Sequence, residues 1–197
     1  MKNRERFKSA IEAFDTYNGK DPNKEEWNGQ LIPKELLYAQ RMSLKLDEYL
    51  SDAPEHVQLA VRCQHIGRWE ISRDQYPMDK KGYLHWRSVL KSLHASIAAQ
   101  ILASCGYNEE TIEKVKFLLL KKELHHHAET QLLEDVVCLV FIEFYLDEFA
   151  SKHHDDKVID ILRKTMKKMS ARSIDAVGQL PLSEKIKSLI HDAATPH

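Results

Sequence analysis

The stretch from Leu59 to Arg73, LAVRCQHIGRWEISR, decides the fold, because a helical apolar pattern turns polar there where the helix should stay buried. The i, i+3, i+4 apolar stripe just before that change consists of Val57, Ala60 and Val61. One more helical turn would carry Gln64, His65 and Arg68 on or beside the same face. Because buried polar groups cost free energy unless they are paired or bound, we predict a functional site at this helix end. The alternative is that Gln64 and His65 only satisfy nearby backbone groups.

The composition predicts one soluble domain over 1–197 without a general affinity for polyanions. The chain has 197 residues, 29 Lys+Arg and 30 Asp+Glu, so its charges nearly cancel. Such a balance gives no overall field that would attract nucleic acid or a membrane surface. Any anion site must therefore be a local cluster, and neither nucleic acid nor membrane is expected as a partner. The oligomeric state is left open.

The cysteines and the N-terminal segment favour a cytoplasmic protein. Cys63, Cys105 and Cys138 all lie in helical patterns, which suits reduced core residues better than a disulfide framework. The first residues, MKNRERFKSAIEAF, are charged and amphipathic, unlike a signal sequence. No apolar run approaches the ~18 residues of a membrane span.

The distribution of helix breakers predicts an all-α fold. Six glycines and six prolines fall between periodic segments rather than within them. The predicted helices cover about 4–17, 33–50, 54–68, 82–104, 109–122, 156–169 and 182–193, with another beginning near 129. That last helix carries VVCLVFIEFYL and is expected to be central. Loops are expected at 20–33, at 69–81 and around His125–His127, a run interpreted as a solvated linker that would chelate a metal only weakly.

Two other helices repeat the inward polar pattern. His94 shares a stripe with three apolar residues, namely Leu90, Ile97 and Ile101. Asp135 lies on a stripe of the apolar helix, with Glu134 beside it. Helical spacing therefore predicts that His65, His94 and Asp135 converge, with imidazole-to-carboxylate separations within about 8 Å.

The order of these segments resembles the HD-domain superfamily of metal-dependent phosphohydrolases. AVRCQHIGR is similar to its first helix end, HASIAAQILASCGY to its second histidine helix and LLEDVVCLVF to its aspartate helix. The resemblance covers about 36–141 and implies an HD-like bundle over about 36–150. Tyr38 stands where such proteins often have their first histidine. Gln64-His65 stands at the His-Asp doublet and Lys122 at the further histidine.

The resemblance implies a metal centre. His65, His94 and Asp135, with Glu134 as a near alternative, would hold a single divalent ion such as iron, manganese or zinc. Gln64 and Lys122 would be catalytic. The alternative is a metal-free network in which the two histidines bond to Asp135.

A second resemblance covers nearly the whole chain. YAQRMS, RCQHIGRW, YPMDKKGYLHWR and ETQLLEDVVCLVF are similar to the family described as domain of unknown function 4202, some members of which carry the label glutamyl-tRNA synthetase. HIGR at 65–68 and KMSAR at 168–172 are similar to class I synthetase signatures. The synthetase motif needs a glycine-rich strand-to-helix turn, which RCQ does not supply, so we do not expect a synthetase.

Basic residues near the polar positions suggest an anionic ligand, since the guanidinium fork matches phosphate or carboxylate oxygens. The candidate substrate-binding residues are Tyr38, Arg41, Arg62, Arg68, Arg73 and Arg87. If Arg73 serves to bind a ligand, its replacement by Ala should lower the free energy of unfolding only slightly. We expect an HD-like domain that binds a nucleotide or another phosphoester, with metal-dependent phosphohydrolase activity. One alternative is a non-catalytic ligand-binding or protein-interaction module, and another is an iron-dependent oxygenase.

Overall fold

The computed structural model describes the backbone of residues 2–195 and the side chains of residues 4–195, and helices dominate it, which confirms the all-α prediction. Among these residues, none of the helices combines the length and the apolar character needed to cross a membrane. The helices are α1 (Lys2–Asn18), α2 (Lys34–Tyr49), α3 (Glu55–Arg62), α4 (Lys80–Ser104), α5 (Glu109–Leu119), α6 (Ala128–Val140), α7 (Leu146–Ser151), α8 (Asp155–Met166), α9 (Ala171–Val177) and α10 (Glu184–Ala194).

A short antiparallel hairpin replaces the loop predicted at 20–33. Its strands are β1 (Lys24–Trp27) and β2 (Gln30–Pro33). Asn28 and Gly29 connect them with φ of 51° and 76°, the left-handed pair that a two-residue hairpin turn needs. The loop prediction was wrong because the Asn-Gly signal was not recognised between two short polar strands.

Helix α3 ends at Arg62, earlier than predicted. Cys63 is its C-terminal cap, and the chain continues in turns and a 3₁₀ turn at Arg68–Glu70. Gly67 adopts φ of 69°, a left-handed conformation that glycine favours. Gln64 and His65 therefore lie in a turn after α3 and not on its face, so the helical extension to 68 was wrong.

Side-chain caps fix the helices that carry the later polar positions. Asp79 accepts from the backbone N–H of Gly82 at 2.6 Å and begins α4, two residues before the predicted start. Asn108 accepts from the N–H of Thr111 at 3.0 Å and begins α5, as its sequence predicts. These caps satisfy N-terminal amides that have no partner within the helix.

The chain divides into two compact units, one up to residue 122 and one from residue 123 onward. In the first unit α1 packs on α2, α3 and α4, α5 packs on α3 and α4, and the hairpin packs on α2. In the second unit α10 packs on α7 and α8, and α9 packs on α6. The single domain over 1–197, with an HD-like part at about 36–150, stays a prediction.

Helix α6 carries the most apolar sequence of the chain, and Leu133, Val136, Leu139 and Val140 are fully or almost fully buried. It continues through a π-helical turn at Phe141–Tyr145 into α7. Helix α9 was not predicted, because its seven residues are too short for a periodic pattern. The cysteines are free, and burial raises the pKa of the Cys63 thiol far above its ordinary value, which suits an inert core residue.

Candidate functional site

Turn residues after α3 place His65 against α2. The N–H of Ile66 donates to the carbonyl of Cys63 at 3.0 Å, and the N–H of Arg68 donates to that of His65 at 3.1 Å. The His65 ring stacks on Tyr38, with centroids 4.2 Å apart and planes 15° from parallel. The Tyr38 hydroxyl donates to Gln64 Oε1 at 3.0 Å. The structure thus brings Tyr38, Gln64 and His65 together.

His94 is buried, as its position on the α4 stripe predicts. Its Nδ1 lies 2.6 Å from the carbonyl oxygen of Ile66. Because a carbonyl oxygen only accepts, Nδ1 carries the proton and the Nε2 of the neutral ring keeps its lone pair. Burial lowers the pKa of His94 to about 4, although the bond to Ile66 acts in the opposite direction. His94 is therefore neutral near pH 7, and its ring centroid lies 5.8 Å from that of His65.

His65 is held by a carboxylate on one side and a guanidinium on the other. Its Nε2 lies 3.3 Å from Arg68 Nη1, and its Nδ1 lies 3.5 Å from Glu35 Oε2. Since a guanidinium only donates, Nε2 accepts and the Nδ1–H faces Glu35. Burial, followed by the charge of Arg68, holds the pKa of His65 well below its ordinary value. Both histidines are thus neutral.

Glu35 completes this group, which we call the histidine cluster: Glu35, Tyr38, Gln64, His65, Arg68 and His94. The Glu35 carboxyl is buried in the first turn of α2, 3.6 Å from Arg68 Nε. Burial outweighs the arginine and raises the pKa of Glu35 to about 7. Helical periodicity did not indicate Glu35, although a glutamate two residues after Pro33 marks the first turn of a helix.

Positive charge acts on both histidines. Arg68, Arg87 and Lys121 each lower the pKa of both His65 and His94. The Arg68 guanidinium also lies 4.9 Å from the centroid of the Trp86 ring. These three cations come from the turn after α3, from α4 and from the turn after α5.

The predicted catalytic Lys122 is exposed, with its Nζ 6.0 Å from the centroid of Phe117. The preceding Lys121 is the lysine whose charge acts on the histidines. Lys121 has φ of 53°, so the chain has already left the α5 helix there, and helical spacing does not give the direction of either lysine.

Three of the predicted substrate-binding arginines have structural partners. Two Arg62 nitrogens donate to the Asp15 carboxylate at 2.8 and 2.6 Å, which ties α3 to α1. Arg41 pairs with Glu25 at 2.5 Å and lies 4.5 Å from the Trp27 ring, which ties α2 to the hairpin. Arg87 is half-buried and donates to the Tyr83 hydroxyl at 3.2 Å.

Arg73 holds the loop before α4. Its guanidinium donates to the carbonyls of Tyr76, Pro77 and Asp79 at 2.9, 2.7 and 3.3 Å. We now expect Arg73→Ala to lower the free energy of unfolding by about 1–2 kcal/mol, because three carbonyls lose a charged donor. Urea unfolding monitored by circular dichroism measures it, with Arg4→Ala, at an exposed position of α1, as the control. Equal stability of the Arg73 variant and the wild type would restore a ligand-binding role for this residue.

Asp135, the predicted carboxylate ligand, holds the N-cap residue of a helix in the unit that begins at residue 123. It accepts from the backbone N–H of Ser170 at 2.8 Å and from its hydroxyl at 2.6 Å. The Ser173 hydroxyl and Gln131 Nε2 donate to it at 2.9 Å each. Ser170 is the N-cap of α9, so the KMSAR string contains a helix start.

The donor set does not fit the predicted metal ion. No group of three or more His, Cys, Asp or Glu side chains is arranged to hold a metal among the described residues. Both ring nitrogens of His65 face polar partners. Asp135 and its buried neighbour Glu134 have partners in their own unit. Glu134 Oε1 lies 3.9 Å from Lys168 Nζ.

Comparison with known proteins identifies one family. The sequence profile described as domain of unknown function (DUF4202) matches residues 8–190. The chain belongs to the DUF4202 family. No curated protein and no solved structure matches it significantly. The match includes every residue of the histidine cluster, so this DUF4202 chain carries the cluster inside the family region.

Proposed function

We propose that this DUF4202 protein is an HD-like helical domain that binds a small phosphate-bearing anion, a nucleotide or another phosphoester, at the histidine cluster. One observation carries the proposal: Arg68 Nη1 lies 3.3 Å from Nε2 of the half-buried His65, and the charge of Arg68, with those of Arg87 and Lys121, lowers the pKa of both His65 and the buried His94. Cations that converge on a partly buried polar site favour an anion there.

The residues of the cluster have distinct roles in this proposal. Arg68 would donate two N–H groups to phosphate oxygens, since its planar fork matches them. The Nε2 lone pair of His94 would accept from a protonated phosphate oxygen or a ligand hydroxyl. Arg87 and Lys121 would add positive charge. Glu35 would compete with the ligand for Arg68 whenever its carboxyl is ionised.

Binding is supported better than hydrolysis. The metal-dependent phosphohydrolase that the HD resemblance implies, and equally the iron-dependent oxygenase, need a third protein ligand beside the two histidines. The cluster offers Glu35 for this role, but Arg68 and His65 face its two oxygens. We therefore derive no metal-dependent step, and a ligand-binding module is the function that the geometry favours.

Removal of Arg68 tests the proposal. We expect Arg68→Ala to weaken the binding of ADP and inorganic phosphate about 10- to 100-fold, because charge-assisted hydrogen bonds contribute ~1.5–3 kcal/mol. Isothermal titration calorimetry of the full chain measures this. Arg172→Ala, at an exposed position of α9, is the matched control and should bind as the wild type does. Wild-type protein that binds neither ligand, or an Arg68 variant with unchanged affinity, would refute the proposed function.

A further inference from the structure

A cleft of about 430 Å³ lies within the unit that begins at residue 123. It is formed by the π-helical turn, α8, α9, the segment after α9, and α10. Of the described residues that line it, all except Lys187 and His191 are apolar or glycine. Small-molecule pockets in proteins measure about 300–1,000 Å³ and combine apolar walls with a few polar groups, so this cleft has the size and lining of a ligand site.

The two polar groups lie on one face of α10. Lys187 and His191 are four residues apart, and Ile190 and Ala194 share their stripe, so the face is apolar with two nitrogens on it. Lys187 and His191 are both exposed, which places their side chains at the mouth of the cleft. A ligand in this cleft would therefore have an apolar body and an anionic or hydrogen-bond-accepting end.

The ammonium group of Lys187 can exchange its present partner for a ligand. Its Nζ lies 2.7 Å from Glu184 Oε1, with the two side chains 54% and 90% exposed. A pair this exposed contributes little free energy, so a carboxylate anchored by an apolar chain can replace Glu184.

We propose that the cleft binds a linear medium-chain carboxylate, with its acyl chain between α8, α9 and α10 and its carboxylate on Lys187 and His191. Charge complementarity selects the occupant, because the apolar lining ends at two nitrogen-bearing side chains. The site is independent of the phosphate-binding function, since none of its lining residues belongs to the histidine cluster.

The experiment uses the full chain and decanoate below its micelle concentration, measured by isothermal titration calorimetry. We expect decanoate to bind more tightly than octanoate, by about fourfold for each added methylene. Lys187→Gln should weaken decanoate about fivefold and leave decanol unchanged. Lys185→Gln, an exposed lysine of α10 outside the cleft lining, is the matched control.

A second variant locates the binding. Gly178 lines the cleft, and a Cβ there would meet the Asp175 carbonyl at an ordinary 3.4 Å, so Gly178→Leu should fold and fill the cleft. Circular dichroism checks the fold. We expect this variant to lose both decanoate and decanol, whereas Arg68→Ala should retain decanoate. Absent decanoate binding, equal loss of decanol in Lys187→Gln, or decanoate binding that survives in a folded Gly178→Leu protein would each overturn the proposal.

Discussion

Glu35→Gln should stabilise the protein by about 3 kcal/mol at pH 8 and by about 1 kcal/mol at pH 5. Burial raises the pKa of Glu35 from its ordinary value of 4.5 to about 7. A carboxyl whose pKa is higher in the folded state contributes stability below its unfolded pKa and loses that stability as pH rises through the folded value. The difference between these two pKa values corresponds to about 3 kcal/mol, since a tenfold change in an ionisation constant is worth ~1.36 kcal/mol.

His94 gives the opposite pH dependence, so the difference between variants must be measured. Its pKa is lowered to about 4, so its contribution is present above its ordinary pKa of 6.5 and is lost as pH falls through the folded value. Subtracting the urea unfolding free energies of wild type and Glu35→Gln at each pH removes the histidine contribution to first order. Glu26→Gln, on the exposed hairpin, is the control and should show no pH-dependent gain.

The affinity for phosphate gives a second test of the role of Glu35. The ionised Glu35 carboxylate lies 3.6 Å from Arg68 and competes with an anion for it. Glu35→Gln should therefore bind phosphate more tightly than the wild type at pH 8. A variant with unchanged stability at both pH values would show that Glu35 titrates as an exposed carboxyl.

The sequence predicted the helices well where a long apolar period or a capping residue marked them. Asn108 begins α5 as expected, and His94 is buried on the stripe that its spacing defines. These features depend on neighbours within one helix, which a single sequence displays directly.

The failures lie where the chain leaves a helix. Gln64 and His65 reach the cluster through a turn, and Glu35 reaches it from the first turn of another helix. Lys121, itself in a left-handed conformation, acts on the histidines in place of the predicted Lys122. Helical periodicity gives no direction for side chains in such segments. The sequence therefore placed Tyr38, Gln64, His65, Arg68 and His94 among its candidates without indicating Glu35.

The sequence also did not indicate which groups the arginines contact. Arg62 and Arg73 were both predicted to bind a ligand. The partner of Arg62 is distant in the sequence, and the partners of Arg73 lie in an irregular loop, so neither could be recognised from spacing. Arg62 meets Asp15, which lies 47 positions earlier in the chain. Arg68, in contrast, lies beside the two polar residues that first marked the site.

Asp135→Ala should lower the free energy of unfolding by about 3–5 kcal/mol, since a buried carboxylate that accepts four hydrogen bonds is lost. Asp135→Asn, which keeps one acceptor oxygen, should cost about half as much. Asp156→Ala, at an exposed position of α8, should leave stability close to that of the wild type. Urea unfolding monitored by circular dichroism measures all three.

The same variants separate a structural Asp135 from the metal ligand that the HD resemblance implies. A carboxylate that bonds Ser170 and Ser173 stabilises the start of α9 whether or not metal is present, so the loss in Asp135→Ala should be equal with and without EDTA. A metal ligand would instead show its cost only in metal-loaded protein, because binding free energy is then part of folding free energy. Protein purified without nickel resin provides the comparison. A stability loss that disappears in EDTA, accompanied by loss of bound metal from the variant, would identify Asp135 as a metal ligand and contradict its role in holding Ser170.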